Sequence, residues 1–192
     1  MKNKWLDYYK KVSGRKPDSI LKLATKNHHL ISGIAYDMGC GAGDDTKYLL
    51  DKGFKVTAVD KEPAAIEFIR ATIKNNDNLT LENNTFEKLA IARCSLIFGR
   101  ASFPFCNPKY FDRFWNRMSI SLKKDGLLCG TLFGDKDTWS TSKELTFISH
   151  RGWNKLLKKF EILYFDEQEF DDVTALGSKK HWHIYYFVLR KV

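Results

Sequence analysis

Between Ile34 and Asp60 the chain reads I-A-Y-D-M-G-C-G-A-G-D-D-T-K-Y-L-L-D-K-G-F-K-V-T-A-V-D, and no other stretch limits its fold as much. Ile34 to Met38 is a short apolar run of strand type, followed by Gly39, Gly41 and Gly43 at alternate positions. Thr46 to Lys52 has helical character and stops at Gly53. Phe54 to Val59 is a second strand, with Asp60 at its end. Strand, glycine turn, helix and strand in this order make one βαβ unit of a parallel sheet. A strand that turns at once into a helix needs backbone angles that a Cβ resists, and glycines there also let a ligand lie on bare backbone. The helix start offers unpaired N–H groups and the positive end of a dipole. An acid about 20 residues beyond the turn is placed to accept both hydroxyls of a ribose.

Two kinds of ligand suit such a unit. A dinucleotide site uses G-x-G-x-x-G, so that a pyrophosphate rests on the helix N-terminus. Here the spacing is G-x-G-x-G, with Asp37 before it and Asp44-Asp45 directly after it. Two carboxylates at the helix start repel a pyrophosphate but not a cationic sulfonium with a free amino group. D-M-G-C-G-A-G resembles motif I of class I S-adenosylmethionine (SAM) dependent methyltransferases, and A-V-D resembles their second motif. The resemblance implies a Rossmann-like α/β fold. Its sheet is seven-stranded and mostly parallel, with an antiparallel last strand and helices on both faces.

The resemblance also implies roles. Asp37 would bind the amino group of SAM, Gly39, Cys40 and Gly41 would offer backbone contact, and Asp60 with Lys61 would lie at the ribose. Thr85 and Phe86 follow the third strand, where the family contacts the adenine. The usual acid is missing there, so a backbone N–H is the expected contact. Arg100 and Ala101 follow the fourth strand, beside the methionine part. Arg100 is an unusual residue at that place and could instead bind an anionic acceptor. Pre-sheet helices commonly form a lid in this fold. That makes residues 1–30 a helical lid segment, with Tyr8, Tyr9 and Arg15 as candidates and Trp5, Leu6 and Val12 on its apolar side.

The loop G-R-A-S-F-P-F tests the acceptor class. The D/N-P-P-Y/F motif of enzymes acting on planar amino groups is absent, and Asn107-Pro108 reads as an N-cap and first turn instead. Phe105 separates Pro104 from Cys106, which argues against a Pro-Cys nucleophile. Phe103, Pro104, Trp139 and Trp182 would wall a small apolar-to-aromatic pocket. F-P-F-C, F-G-D-K-D-T-W, L-T-F and K-H-W-H together resemble small bacterial tellurite-resistance-type and thiopurine-type methyltransferases.

His181 and His183 share one face of the last strand and Trp182 takes the other. A structural role, a general base near neutral pH and a metal pair are all open to them; with no further ligand visible, no metal is assigned. The acidic run Asp166 to Asp172 reads as a solvated hairpin tip, and Ser149 as the cap of the last helix.

Of the +9 net charge, six units fall in residues 1–26. A basic segment suits a solvated helix face first and a nucleic acid second. Cys40, Cys94, Cys106 and Cys129 are scattered, so buried free thiols are expected rather than a disulfide frame or zinc site. No apolar run is long enough for a membrane span, and the start of the chain has no apolar signal segment, so the expected compartment is the cytoplasm. The whole of 1–192 is expected to form one domain that methylates a small-molecule acceptor with SAM. The alternatives are an RNA methyltransferase using the basic segment, a SAM-binding module without turnover and, more distantly, a dinucleotide oxidoreductase.

Overall fold

The computed structural model describes residues 8–27, 30, 32–174 and 177–192. After a short helical stretch at 8–12, the elements are α1 (Ser19–Asn27), β1 (Gly33–Met38), α2 (Asp44–Asp51), β2 (Phe54–Asp60), α3 (Pro63–Thr72), β3 (Leu79–Asn83) and β4 (Cys94–Gly99). They continue with α4 (Pro108–Ser121), β5 (Leu122–Gly134), β6 (Phe147–Ile148), α5 (His150–Leu156), β7 (Phe160–Val173) and β8 (Lys179–Lys191). The strand order is β3-β2-β1-β4-β5-β8-β7, with β6 paired to β5 off this path. β1 pairs parallel with both β2 and β4, so the winding direction reverses beside it. β8 runs antiparallel to β5 and to β7. The expected seven strands and antiparallel last strand are present, and the two-residue β6 adds an eighth.

Alternation along the strands decides which helices cover which face. Phe54, Val56 and Ala58 of β2 pack with Leu49 of α2 and Ile66 and Ile69 of α3, while Ile20, Leu21 and Ala24 of α1 join Leu127, Cys129 and Val188. On the other face Met38, Ile97, Leu128 and Phe187 meet Phe114, Trp115 and Met118 of α4 and Trp153 of α5. The expected caps form: Asn107 Oδ1 accepts the Lys109 N–H at 3.0 Å, and Ser149 Oγ that of Gly152 at 3.2 Å. Asp18 Oδ1 likewise accepts the Ile20 N–H at 2.8 Å at the start of α1.

The acidic run is corrected. Asp166 to Asp172 lies within β7, with Glu169 opposite His183 and Asp171 opposite His181. The hairpin closes further on, where the Thr174 N–H donates to the Ser178 carbonyl at 2.8 Å. Pairing with the Lys- and His-bearing β8 holds these acids extended, which their polarity alone does not reveal. Among the described residues, no helix is long and apolar enough to cross a membrane. Trp5 and Leu6 of the expected lid lie outside the described residues.

Candidate active site

The expected site residues gather at the carboxyl ends of β1 to β4, where the winding reverses and where open α/β sheets bind ligands. At the exit of β1, Gly39 has φ +73°, and its N–H donates to the Val59 carbonyl at 2.7 Å. A Cβ on Gly39 would stand 2.4 Å from Ser102 Cβ, so this position admits no side chain. Ser102 is drawn in because its hydroxyl donates to the Met38 carbonyl. The Gly41 N–H donates to Asp60 Oδ2 and the Glu62 N–H to Asp60 Oδ1, each at 3.0 Å. Asp60 thus fastens the glycine turn to the end of β2. Lys61 follows it, and its carbonyl accepts from Asn83 Nδ2 at 3.0 Å.

Phe86 reaches the same place from beyond β3. Its ring stacks on Phe114 at 4.9 Å, and its carbonyl accepts from Arg117 at 2.7 Å. Thr85 turns the chain just before it, its carbonyl accepting the Leu89 N–H at 3.0 Å. Beyond β4, Ala101 adopts φ +47° and its N–H donates to Thr131 Oγ1 at 2.9 Å. This bond to β5 holds the post-β4 loop over the turn.

The electrostatics of this place are unusual. Asp37 is buried and accepts from Thr46 Oγ1 at 2.6 Å. Burial, then the negative charge of Asp45, push its carboxyl up to about 8, against the Thr46 hydrogen bond. Asp45 is also raised by burial, and so is Asp60, the latter against its two backbone hydrogen bonds. The Cys40 thiol is pushed well above its usual range, burial first and Asp37 and Asp60 next, so Cys40 is no nucleophile. Carboxylates that resist ionising beside bare backbone fit a ligand carrying positive charge, because such a ligand stabilises their charged forms.

The N-terminal segment lies against the same turn. Asp44 accepts the N–H groups of Gly14 and Arg15 at 2.9 and 3.3 Å, and Asp45 accepts that of Asp18 at 2.7 Å. The two acids that suggested repulsion of a pyrophosphate therefore also fasten this segment. Tyr9 is buried; its ring is 3.8 Å from where a Gly41 Cβ would stand, and it packs on Phe68. Arg100 bridges Asp18 at 3.4 Å and Asp45 at 3.5 Å. Its guanidinium is committed to these acids rather than held out toward an anionic acceptor.

The expected pocket wall is redistributed. Phe103 is core, packed on Phe114 and Phe187. Trp182 and Trp139 instead flank the Lys180 ammonium, at 3.8 and 4.4 Å from their ring centres, and Phe133 lies at 5.1 Å. Lys180 is ion-paired with Asp137, and both side chains are fully enclosed. Sequence reasoning passed over this pair, although Lys180 and Trp182 alternate onto one face of β8. An open recess of about 390 Å³ adjoins it, lined by Phe105, Thr138, Trp139, Thr141, Ser142 and Leu145.

The remaining candidates are not poised for chemistry on an acceptor. His183 is fully buried, with Nε2 2.8 Å from Glu167 Oε1 and Nδ1 accepting the Lys136 N–H at 3.1 Å. Neither nitrogen is left to act as a general base. His181 turns to Asp171, 2.9 Å away. The Cys106 thiol is pushed up to about 12, first by burial and then by Glu87. All four cysteines are free and buried, as expected.

Residues 35–126 match a family model described as a methyltransferase domain. A malonyl-(acyl-carrier protein) O-methyltransferase from Acetivibrio thermocellus is 30% identical over 131 residues, 67% of this chain and 45% of that protein. The chain spans less than half the length of the curated relatives it matches. Among solved structures, TehB from Haemophilus influenzae superposes with a TM-score of 0.76 at 17% identity, over 98% of this chain and 67% of that one. The 1,6-didemethyltoxoflavin-N1-methyltransferase of Burkholderia thailandensis, solved with S-adenosylhomocysteine, gives 0.64 at 19% identity, over 90% and 76%. These likenesses establish the fold, and the family match falls on the glycine turn and Asp60. Residues 35–126 are thus similar to a methyltransferase domain, and the chain has the same fold as TehB.

Proposed function

We propose that this protein transfers a methyl group from SAM to a small-molecule acceptor. The supporting observation is the buried pair Asp37 and Asp45 with half-buried Asp60, whose carboxyls are all raised, beside a turn of bare glycine backbone. In this reading Asp60 holds the ribose hydroxyls, with Lys61 alongside. Asp37 receives the amino group, with Thr46 fixing its carboxylate. Gly39, Cys40 and Gly41 supply backbone, Thr85 and Phe86 border the adenine, and Arg100 and Ala101 border the methionine part. When bound, SAM supplies a methyl already activated by a positive sulfonium. The chain then has to orient the partners and exclude water, and orientation alone can account for about 7–11 kcal/mol of a barrier.

Tyr9 and the segment fastened by Asp44 and Asp45 would exclude water from one side. The recess at Phe105 and Trp139 is the proposed entry for the acceptor. Its lining is apolar with hydroxyls and carries no charge, which suits a soft or aromatic nucleophile. With both nitrogens of His183 engaged, the acceptor is expected to arrive able to attack without a protein base.

The test is calorimetry with SAM and S-adenosylhomocysteine, followed by a screen of thiols, phenols, amines and metalloid oxyanions for S-adenosylhomocysteine formation. Binding without any turnover would favour a SAM-binding module. One observation keeps an RNA substrate in view: Lys10, Lys11, Arg15 and Lys16 are exposed on the N-terminal segment. RNA binding that weakens steeply with salt would support it.

A further inference from the structure

Beyond β5 in the strand order, at the same carboxyl end of the sheet as the glycine turn, three elements bring imidazole and carboxylate groups together. Glu167 and Glu169 come from β7, His183 from β8 and His150 from the first turn of α5. Antiparallel register sets Glu169 opposite His183 and Glu167 opposite Tyr185. One ligand atom from each of Glu167, Glu169 and His183 lies within 4.8 Å of the others. His150 Nε2 stands 3.2 Å from Glu167 Oε1, and His183 Nε2 stands 2.8 Å from the same oxygen. Ligands at about 2.0–2.2 Å around a tetrahedral ion are about 3.3–3.6 Å apart, so the 2.8 and 3.2 Å spacings need open only slightly to admit one.

A second observation concerns Tyr185. Its side chain is fully enclosed, and its hydroxyl has no hydrogen-bond partner. The ring stands edge-on to His183 at 5.1 Å and lies 5.9 Å from the His150 ring. The charges of Glu167, Asp135 and Glu169 all reach that hydroxyl. A buried hydroxyl without a partner calls for an explanation, and a nearby ion carrying a water would supply one. The charge balance agrees: Glu167, Glu169 and Asp135 face the point, and Lys136, paired with exposed Glu169, is the cation beside them.

We propose that His150, His183, Glu167 and Glu169 form a binding site for a divalent transition ion of the zinc type, which ties α5 to the β7–β8 hairpin. Two imidazoles and two carboxylates make a closed, borderline donor set. In the free protein the Lys136 N–H occupies His183 Nδ1, so Nε2 carries the proton and donates to Glu167. On binding, that proton changes nitrogen. Nε2 takes the ion, and Nδ1–H turns to Asp135, whose carboxylate is already 3.8 Å away. This is the carboxylate–histidine–metal arrangement that commonly orients a ligating imidazole. The Lys136 amide lies in an exposed turn, where water can replace the lost acceptor. Lys136 itself leaves Glu169, and its side chain is exposed enough to do so.

The experiment is calorimetry with Zn²⁺ alone on the full chain, repeated with Co²⁺ for its visible absorption. One ion per chain is expected. His150→Ala removes an exposed ligand without disturbing the core, and Glu167→Gln keeps a hydrogen bond to His183. Each should weaken binding at least about tenfold. Lys136→Ala should tighten it, because the competing ammonium is gone. A His28→Ala/His29→Ala variant, which alters a histidine pair elsewhere in the sequence, should bind as wild type does. The His183 ring nitrogens should exchange tautomer in nitrogen NMR when Zn²⁺ is added. No stoichiometric binding, or binding that survives both His150→Ala and Glu167→Gln, overturns the site.

Discussion

Asp45 Oδ1 accepts the backbone N–H of Asp18 at 2.7 Å, while Arg100 reaches both carboxylates, at 3.5 and 3.4 Å. With Asp44 and Gly14 at 2.9 Å, this makes the first turn of α2 the anchor of the N-terminal segment. Asp44→Ala should release the partly solvated end of that anchor. The expected loss is about 1–2 kcal/mol of stability, because its two hydrogen bonds, to Gly14 and Arg15, are exposed and water can replace them in part. Trypsin cleavage after Arg15 should become severalfold faster, and SAM affinity should fall with it. Unchanged cleavage would mean that the segment is held elsewhere.

Asp60→Ala should free the Gly41 and Glu62 N–H groups and remove the proposed ribose contact. Losing two charge-assisted hydrogen bonds to the ribose, as proposed, should weaken SAM by about 3 kcal/mol, on the order of a hundredfold. Calorimetry reads this directly. Wild-type affinity in the variant would show that the site lies elsewhere.

Asp37 gives a pH signature. Its folded-state value is raised to about 8, so between the ordinary carboxyl range and that value the native chain holds a proton that the unfolded chain lacks. Stability from this group is therefore fully present at low pH and is lost as pH rises through about 8. A cationic ligand prefers the ionised form, so SAM affinity should rise over the same interval and binding should release a proton. Calorimetry in buffers of different ionisation enthalpy measures that release. Asp37→Asn should remove it and flatten the stability slope.

Lys180→Met should be strongly destabilising, by about 3–5 kcal/mol, because it leaves the Asp137 carboxylate enclosed without its cation. Lys180→Met with Asp137→Asn should recover part of that loss. Denaturant unfolding followed by tryptophan fluorescence reports both, since Trp139 and Trp182 flank the ammonium. Equal stability of the single and double variants would refute the pairing.

Local signals were legible before the fold was known. Gly39 and Gly41 announce their places because the turn angles demand glycine, and Asp60 stands at the end of β2 as its spacing from the turn implies. Asn107 and Ser149 announce helix starts for a similar reason: a short polar side chain is needed there. Relationships set by long-range register were not legible. Glu167 and His150 meet His183 only once β7, β8 and α5 are assembled. Lys180 reads as a surface lysine until Trp139 and Asp137 arrive from another loop. Arg100 looked free because the partner acids lie 82 and 55 positions earlier in the chain, at Asp18 and Asp45.

β7 runs fourteen residues along the outer margin of the sheet, and Glu161, Asp166, Glu167, Glu169, Asp171 and Asp172 all lie on it. A second copy trying to anneal along that margin would set acid against acid while Ile162, Phe170 and Val173 sought cover. The acids thus guard the chain against fibre-like stacking through its own rim, even though apolar side chains are exposed there.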